Sequence, residues 1–387
     1  MRRRGRAAGY VIAGAGALAA LVALVAGCGV KITVPHPEGL FSVSAYYIED
    51  TFADDQALQV VVANNNLFVL SASGSLTKRT LAYDEIVRAD GLAQPTAMCR
   101  GDYAELIFVW EQGARRVKVL GSTDLAPVDS SAALPEVLEV SHLATCRTGV
   151  EAVAGARTFV YLADPAAGVI HRYAYTEGGS FVSWGLLARS DGTGARSVHQ
   201  PGGLAVDAQG RLLVCDADTA RNWVIRFDPT PDPTDLIPLW NGLPPLRGLA
   251  VPFDTPTCEP ASLADVTLGY AAECGQTDWV GRRSSAEGEF DVPLGVVVDG
   301  AGRIYVSDSG NNRVQVFTAA GVYDMRFGTA DRTPAPSSLA LVDWRISSTR
   351  VNYGAYLFLV DAAGGQVRKF ISAEQYIYMN QEPPPPN

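Results

Sequence analysis

Ten residues, DSGNNRVQVF from Asp308 to Phe317, set a carboxylate, two amides and an arginine around a glycine. Such a set could chelate calcium or supply a general base beside a cation. Related carboxylates recur: Asp207, Asp299 and Asp343 follow one kind of apolar run, and Asp216, Asp308 and Asp361 follow the next. The same residue types also build turns. An Asp side chain accepts hydrogen bonds from backbone N–H groups two residues on, and a neighbouring glycine supplies positive φ. A residue that every repeat places at one position serves the repeat, whereas a unique site would break it. Turn formation is therefore the expectation for all six aspartates. Gly310-Asn311-Asn312 reads the same way, because Asn tolerates the left-handed region. Arg313 can pair within its own unit or serve surface recognition.

Other chemistry-bearing residues are sparse. Histidine occurs four times, at His36, His142, His171 and His199, and no group of them has zinc-ligand spacing. Cys258 and Cys274 bracket one loop-rich stretch and are expected to form a disulfide. Cys99 and Cys146 share a similar setting, where a bridge depends on their separation. Cys215, inside an apolar run, reads as a buried inert thiol. Asn64, Asn65 and Asn66 fall between strand-like segments and read as a hairpin turn. There is no Gly-x-Ser-x-Gly elbow, phosphate-binding glycine loop or His-Glu-x-x-His. No catalytic residue, metal or other cofactor is expected. The best recognition loop is CGQTDWVGRRSSAEGEF, where Trp279, Arg282 and Arg283 suit an acidic or carbohydrate surface.

The elements that must position these residues form a repeat. PGGLAVDAQGRLLVCDADTARNWVIRFDP (Pro201 to Pro229) and PLGVVVDGAGRIYVSDSGNNRVQVFTA (Pro293 to Ala319) align segment by segment. Short β-branched runs separated by Gly, Asn and Asp turns are strand signals. Weaker copies start near Leu58, Pro95, Leu143 and Ser338, and a degenerate one spans Leu246–Val251. Units of this length, each with several short strands, indicate an all-β fold: a β-propeller of six or seven four-stranded blades, with seven slightly favoured by the count of starts. Ring closure requires a strand from outside the last unit, either Gly39–Ile48 or Glu374–Met379.

Pro293-Leu294-Gly295-Val296, with Val306-Ser307-Asp308 through Arg313-Val314, resembles the NHL repeat. The resemblance implies four-stranded blades around a central channel. Related lyases hold zinc with histidines just after the blade-opening prolines, but here Thr96, Gly202, Leu294 and Ser337 stand there. Gluconolactonase-like propellers chelate calcium around the channel, so a lactonase- or lyase-like enzyme remains the alternative reading.

The chain opens with Arg2, Arg3, Arg4 and Arg6, then an uncharged run from Tyr10 to Val25, then Ala26-Gly27-Cys28. These three regions describe an export signal. The small residues before Cys28 resemble the lipobox of bacterial lipoproteins, which implies cleavage after residue 27 and a lipid on Cys28. An uncleaved anchor is the other reading of so long an apolar run. Gly29, in place of an aspartate, implies an outer membrane where the organism has one. Losing the four arginines takes the formal charge from -10 to -14. Nucleic acid is thereby disfavoured, since binding it requires a basic footprint. The expected layout is a signal peptide over 1–27, a lipidated linker with the ring-closing strand over 28–50, a propeller over 51–380 and a Pro-rich tail over 381–387. The expected function is a membrane-tethered envelope protein that displays loops to a protein or glycan.

Overall fold

The computed structural model describes residues 46–54, 56–102, 105–148, 155–176, 178–189, 198–218, 222–227, 285–347 and 350–381. These residues form a β-propeller of six blades, five with four strands and one with three strands among the described residues. The first blade comprises Ala57–Ala63, Asn66–Ser71, Ser75–Arg79 and Glu85–Ala89, ordered outward from the axis. The inner strands of the next four are Pro95–Arg100, His142–Cys146, Pro201–Val206 and Pro293–Val298. In the sixth blade the inner strand Pro336–Arg345 is followed by Val351–Asp361 and Gln366–Ser372.

Local sequence explains the hairpins. Asn64 and Asn65 sit at φ 49° and 56°, the left-handed pair that a two-residue hairpin requires. Alternate residues of each strand face opposite sides, so β-branched and aromatic side chains fill the wedges between blades. Between the second and third blades, Trp110, Val117 and Val119 pack against Val160, Leu162 and Tyr175. Trp110 is fully buried, and burying side chains of this kind contributes about 1.5–3 kcal/mol each.

Ring closure comes from the N-terminal side. Tyr46–Ala53 pairs antiparallel with Gln366–Ser372, in a register running from Tyr46 opposite Ser372 to Ala53 opposite Gln366. That edge is thereby taken, and Glu374–Met379 lies within an α-helix, Ala373–Gln381, instead of a strand. The helix docks on the sixth blade, where Asn352 Nδ2 donates to Gln375 Oε1 at 3.0 Å.

The fourth and fifth blades are direct neighbours. A Cβ on Gly203 would stand 2.5 Å from the carbonyl oxygen of Leu294, and Val292 N donates to Asn222 Oδ1 at 2.8 Å. No blade fits between them, so the ring takes six, the lower of the two expected counts. The Leu246–Val251 start lies outside the described residues.

Candidate functional site

Every inner strand is the terminal strand of its sheet, so each turns an unpaired backbone edge toward the axis. Side chains stitch these edges together. Gln59 Oε1 accepts from Met98 N and its Nε2 donates to Ser141 O, both at 2.7 Å. Thr96 Oγ1 donates to Val140 O at 2.6 Å, and Ser141 Oγ to Pro201 O at 2.9 Å. Ser307 Oγ donates to Ser337 O and Val60 N to Ser338 Oγ, each at 3.1 Å. What the stitches leave open is an axial cavity of about 430 Å³ touched by all six inner strands. That volume lies within the range of small-molecule sites, about 300–1,000 Å³.

Carboxylates follow several inner strands and line this cavity: Asp102, Asp207, Asp299 and Asp343. Asp207 Oδ1 accepts from the backbone N–H of Gln209 and Arg211, while its Oδ2 accepts from Arg211 Nε at 2.7 Å. Asp299 repeats the arrangement with Ala301, Arg303 and Arg303 Nε, also at 2.7 Å. Asp343 instead bridges two blades, accepting from Gly300 N at 2.8 Å and Gly354 N at 2.6 Å. Burial pushes the Asp343 carboxyl above its ordinary pKa, with Asp299 adding to the rise and the two backbone donors opposing it. Asp102 accepts from the hydroxyls of Thr145 and Thr158.

The remaining cavity residues are basic or neutral. Arg100 is exposed, and its Nη1 makes one long contact to Val62 O at 3.4 Å. His142 is half-buried, its two ring nitrogens enclosed and without partners, and burial lowers its pKa to about 4. Its imidazole is therefore neutral at neutral pH. Cys99 also lines the cavity, but it, Cys146 and Cys215 are buried free thiols whose pKa values burial raises. The bridge considered between Cys99 and Cys146 is absent, and none of the three is an activated nucleophile.

The second set of aspartates lies at the ends of the second strands, fully buried. Asp216 accepts from His199 N and Gln200 N, and Asp361 from Gly364 N and Arg368 Nε. Asp308 accepts from Asp291 N at 2.7 Å, Asn311 Nδ2 at 2.9 Å and Arg313 Nε at 2.6 Å. Burial raises its pKa, and these bonds pull the other way. Arg313 also donates to the carbonyls of Ser285, Ala286 and Glu289. Asn312 supplies the left-handed residue at φ 54°. The polar groups of DSGNNRVQVF are thus spent on their own blade and, through Asn312 Oδ1 accepting from Ala335 N at 2.9 Å, on the entry of the next. Asp164 and Glu111 hold the corresponding place in the third and second blades.

Three residues at the channel mouth went unread in the sequence: Arg100, Asp102 and Tyr353. One spacing marks the last of them. Asp299 and Asp308 stand nine positions apart, but Asp343 and Asp361 stand 18 apart, which signals a lengthened hairpin. Among the described residues, no group of three or more His, Cys, Asp or Glu is placed to hold a metal ion. Cys28, Cys258, Cys274, Trp279, Arg282 and Arg283 lie outside the described residues.

No curated protein matches the chain. Solved structures that match do so at low identity. A protein of unknown function from Bacteroides thetaiotaomicron is 12% identical with a TM-score of 0.54, over 85% of this chain and 72% of that one. Regucalcin, a calcium-binding protein from Agrobacterium tumefaciens, is 10% identical with a TM-score of 0.49, over 85% and 95%. Virginiamycin B lyase from Staphylococcus aureus is 9% identical with a TM-score of 0.46, over 84% and 99%. Identities this low speak to the fold alone. In sequence, residues 290–317, which include the first three strands of the fifth blade, match the NHL repeat. The chain is a six-bladed β-propeller that carries an NHL repeat.

Proposed function

We propose that this chain is a binding or scaffold protein of the bacterial cell envelope, held at a membrane by a lipid on Cys28, with a protein or glycan as its partner. One observation carries the reading. The polar groups that the sequence offers for chemistry are already committed within the fold. Asp207 and Asp299 hold their own turns and arginines, while Asp216, Asp308 and Asp361 are buried acceptors. What the propeller leaves free is its surface and the mouth of its channel. A rigid ring then acts by display, holding loops at fixed spacing while the anchor supplies location. A single acyl chain binds membranes weakly, so the anchor needs several chains.

Crosslinking the full-length protein in membranes and capturing it tests the reading. One envelope protein or glycan should be recovered in constant ratio, and Cys28→Ala should release the protein from the membrane fraction. A catalytic propeller with a divalent metal in its channel is the rival. Stoichiometric calcium or zinc in the purified protein, whose removal leaves the fold intact, would overturn the binding reading. Membrane association unaffected by Cys28→Ala would overturn the lipid anchor.

A further inference from the structure

The channel mouth is where the repeat departs furthest from itself. In the fifth blade the turn after the inner strand closes within Asp299 to Arg303, whereas the sixth blade runs its inner strand on to Arg345 and resumes at Val351. Tyr353 sits on this extension, 38% exposed. Its ring leans on the turn of the fifth blade: a Cβ added to Gly300 would stand 2.7 Å from Tyr353 Cε1 and 2.8 Å from Asp343 Oδ2. Arg303 Nη2 fixes the segment by donating to Tyr353 O at 2.6 Å. An aromatic ring therefore stands against Gly300 and beside Asp343, two residues that line the cavity. In a ring of six the second blade stands opposite the fifth. There Arg100 offers a guanidinium whose donors, apart from the contact to Val62 O, are uncommitted.

We propose that this mouth binds the neutral terminal residue of a saccharide, its C–H face on Tyr353 and its hydroxyls between Asp343, Asp102 and Arg100. The inference rests on the binding reading above and names its ligand class. A hydroxyl both donates and accepts, so it suits a rim where carboxylate acceptors and guanidinium donors share one opening. Each oxygen of Asp343 and Asp102 takes one donor and keeps room for another. An anionic ligand would meet four carboxylates at the cavity, and a cationic one would meet Arg100 and find Asp207 and Asp299 already paired with Arg211 and Arg303. A neutral polyhydroxyl compound avoids both penalties, and an aromatic ring supplies the apolar half of its recognition.

Calorimetric titration of the full-length protein with maltotetraose, cellotetraose, chitotetraose and xylotetraose tests this, with tetragalacturonate as the anionic control. At least one neutral tetrasaccharide should bind. Tyr353→Ala should weaken that binding by about tenfold or more, the loss of one stacking contact, while Tyr353→Phe keeps it within about threefold. Arg100→Met should weaken it by about tenfold or more, the loss of one charged hydrogen bond. Unchanged urea midpoints would show that the variants fold. Absence of binding by all four neutral ligands, preference for the anion, or indifference to both Tyr353→Ala and Arg100→Met would overturn the proposal. Should saccharides fail while crosslinking captures one protein in constant ratio, the binding reading stands and the saccharide site falls.

Discussion

The hydroxyl oxygens of Tyr46 and Tyr305 lie 3.1 Å apart, although the residues are 259 positions apart in the chain. Tyr46 belongs to the strand that closes the sixth blade, and Tyr305 to the second strand of the fifth. Tyr46 also donates to Gly354 O, and Tyr305 to Asp299 Oδ2 at 3.1 Å. Two hydroxyl protons thus serve three contacts, in a pocket where neither ring can turn to water. The network ties the ring-closing strand to the turn that borders the channel, so closure and channel mouth are mechanically one unit.

Removing one hydroxyl should loosen that unit measurably. Tyr46→Phe strips a donor from Gly354 O and a neighbour from Tyr305, at a cost of about 1–2 kcal/mol. Urea unfolding should show a lower midpoint with an unchanged slope. Because the two tyrosines touch, the double change with Tyr305→Phe should cost less than the sum of the single changes. Strict additivity would mean that the two hydroxyls act independently.

The same tyrosine makes the fold sensitive to alkali. Burial pushes the Tyr46 pKa up from 10.0 to about 12, with its contact to Tyr305 a smaller opposing influence. The unfolded chain then loses its proton first. Stability from this group is complete below pH 10 and disappears as pH rises toward 12, about 3 kcal/mol in all. Burial shifts Tyr305 in the same direction. Stability measured at pH 9 and pH 11 should therefore fall steeply, and the fall should be shallower in Tyr46→Phe.

At the acid end the relevant group is His142. Its folded pKa of about 4 lies below the ordinary 6.5, so on acidification the unfolded chain takes up the proton before the native one does. Stability should decline between pH 6.5 and pH 4, by at most about 3 kcal/mol. His142→Leu should remove this slope. Asp308 and Asp343, whose pKa values are raised, act in the opposite sense near pH 4. They are present in both proteins, so the difference between the two pH profiles isolates the histidine. Parallel profiles would show that His142 titrates alike in the folded and unfolded chain.

The ion pair of Asp308 and Arg313 should behave as structure, not as chemistry. Both side chains are nearly inaccessible, and their 2.6 Å contact sits among six further donors and acceptors of the same blade. Removing one partner strands the other charge, so Arg313→Met should cost about 3–5 kcal/mol. The exposed pair of Arg350 and Glu374, 2.9 Å apart, should tolerate Arg350→Ala with little change. A mild effect of Arg313→Met on the unfolding midpoint, with loss of partner binding, would return this segment to the list of functional sites.

These residues also show how far the sequence could be read. Repeated local signals were legible: Pro293-Leu294-Gly295, the turn after Val298 and the left-handed Asn312 are each decided by neighbours in the chain. The six-bladed count was harder, because an isolated start such as Leu246–Val251 looks like a unit until the fourth and fifth blades are seen in contact. Long-range polar contacts leave no local trace. Nothing around Gln59 announces that its amide joins Met98 to Ser141, and Tyr46 reads as one more aromatic in a strand. The mouth residues Arg100 and Tyr353 were hidden for a related reason, since their role comes from which blades face each other across the ring.

Glycine spacing offers the sharpest check on the six-bladed packing. A Cβ at Gly203 would lie 2.5 Å from Leu294 O and 2.8 Å from Gly295 Cα, and one at Gly295 would lie 2.3 Å from Ser337 O. All three obstacles are backbone of the next blade, which cannot rotate aside as a side chain would. At Gly202 the nearest atom would be 3.4 Å away, an ordinary contact. Gly203→Ala and Gly295→Ala should each cost about 1–3 kcal/mol through overpacking. Gly202→Ala should be close to neutral, because it reaches no closer than van der Waals contact. Thermal or urea unfolding of the three variants decides the matter. If Gly203→Ala were as harmless as Gly202→Ala, the fourth and fifth blades would have to stand further apart, leaving room for the seventh blade that the repeat count suggested.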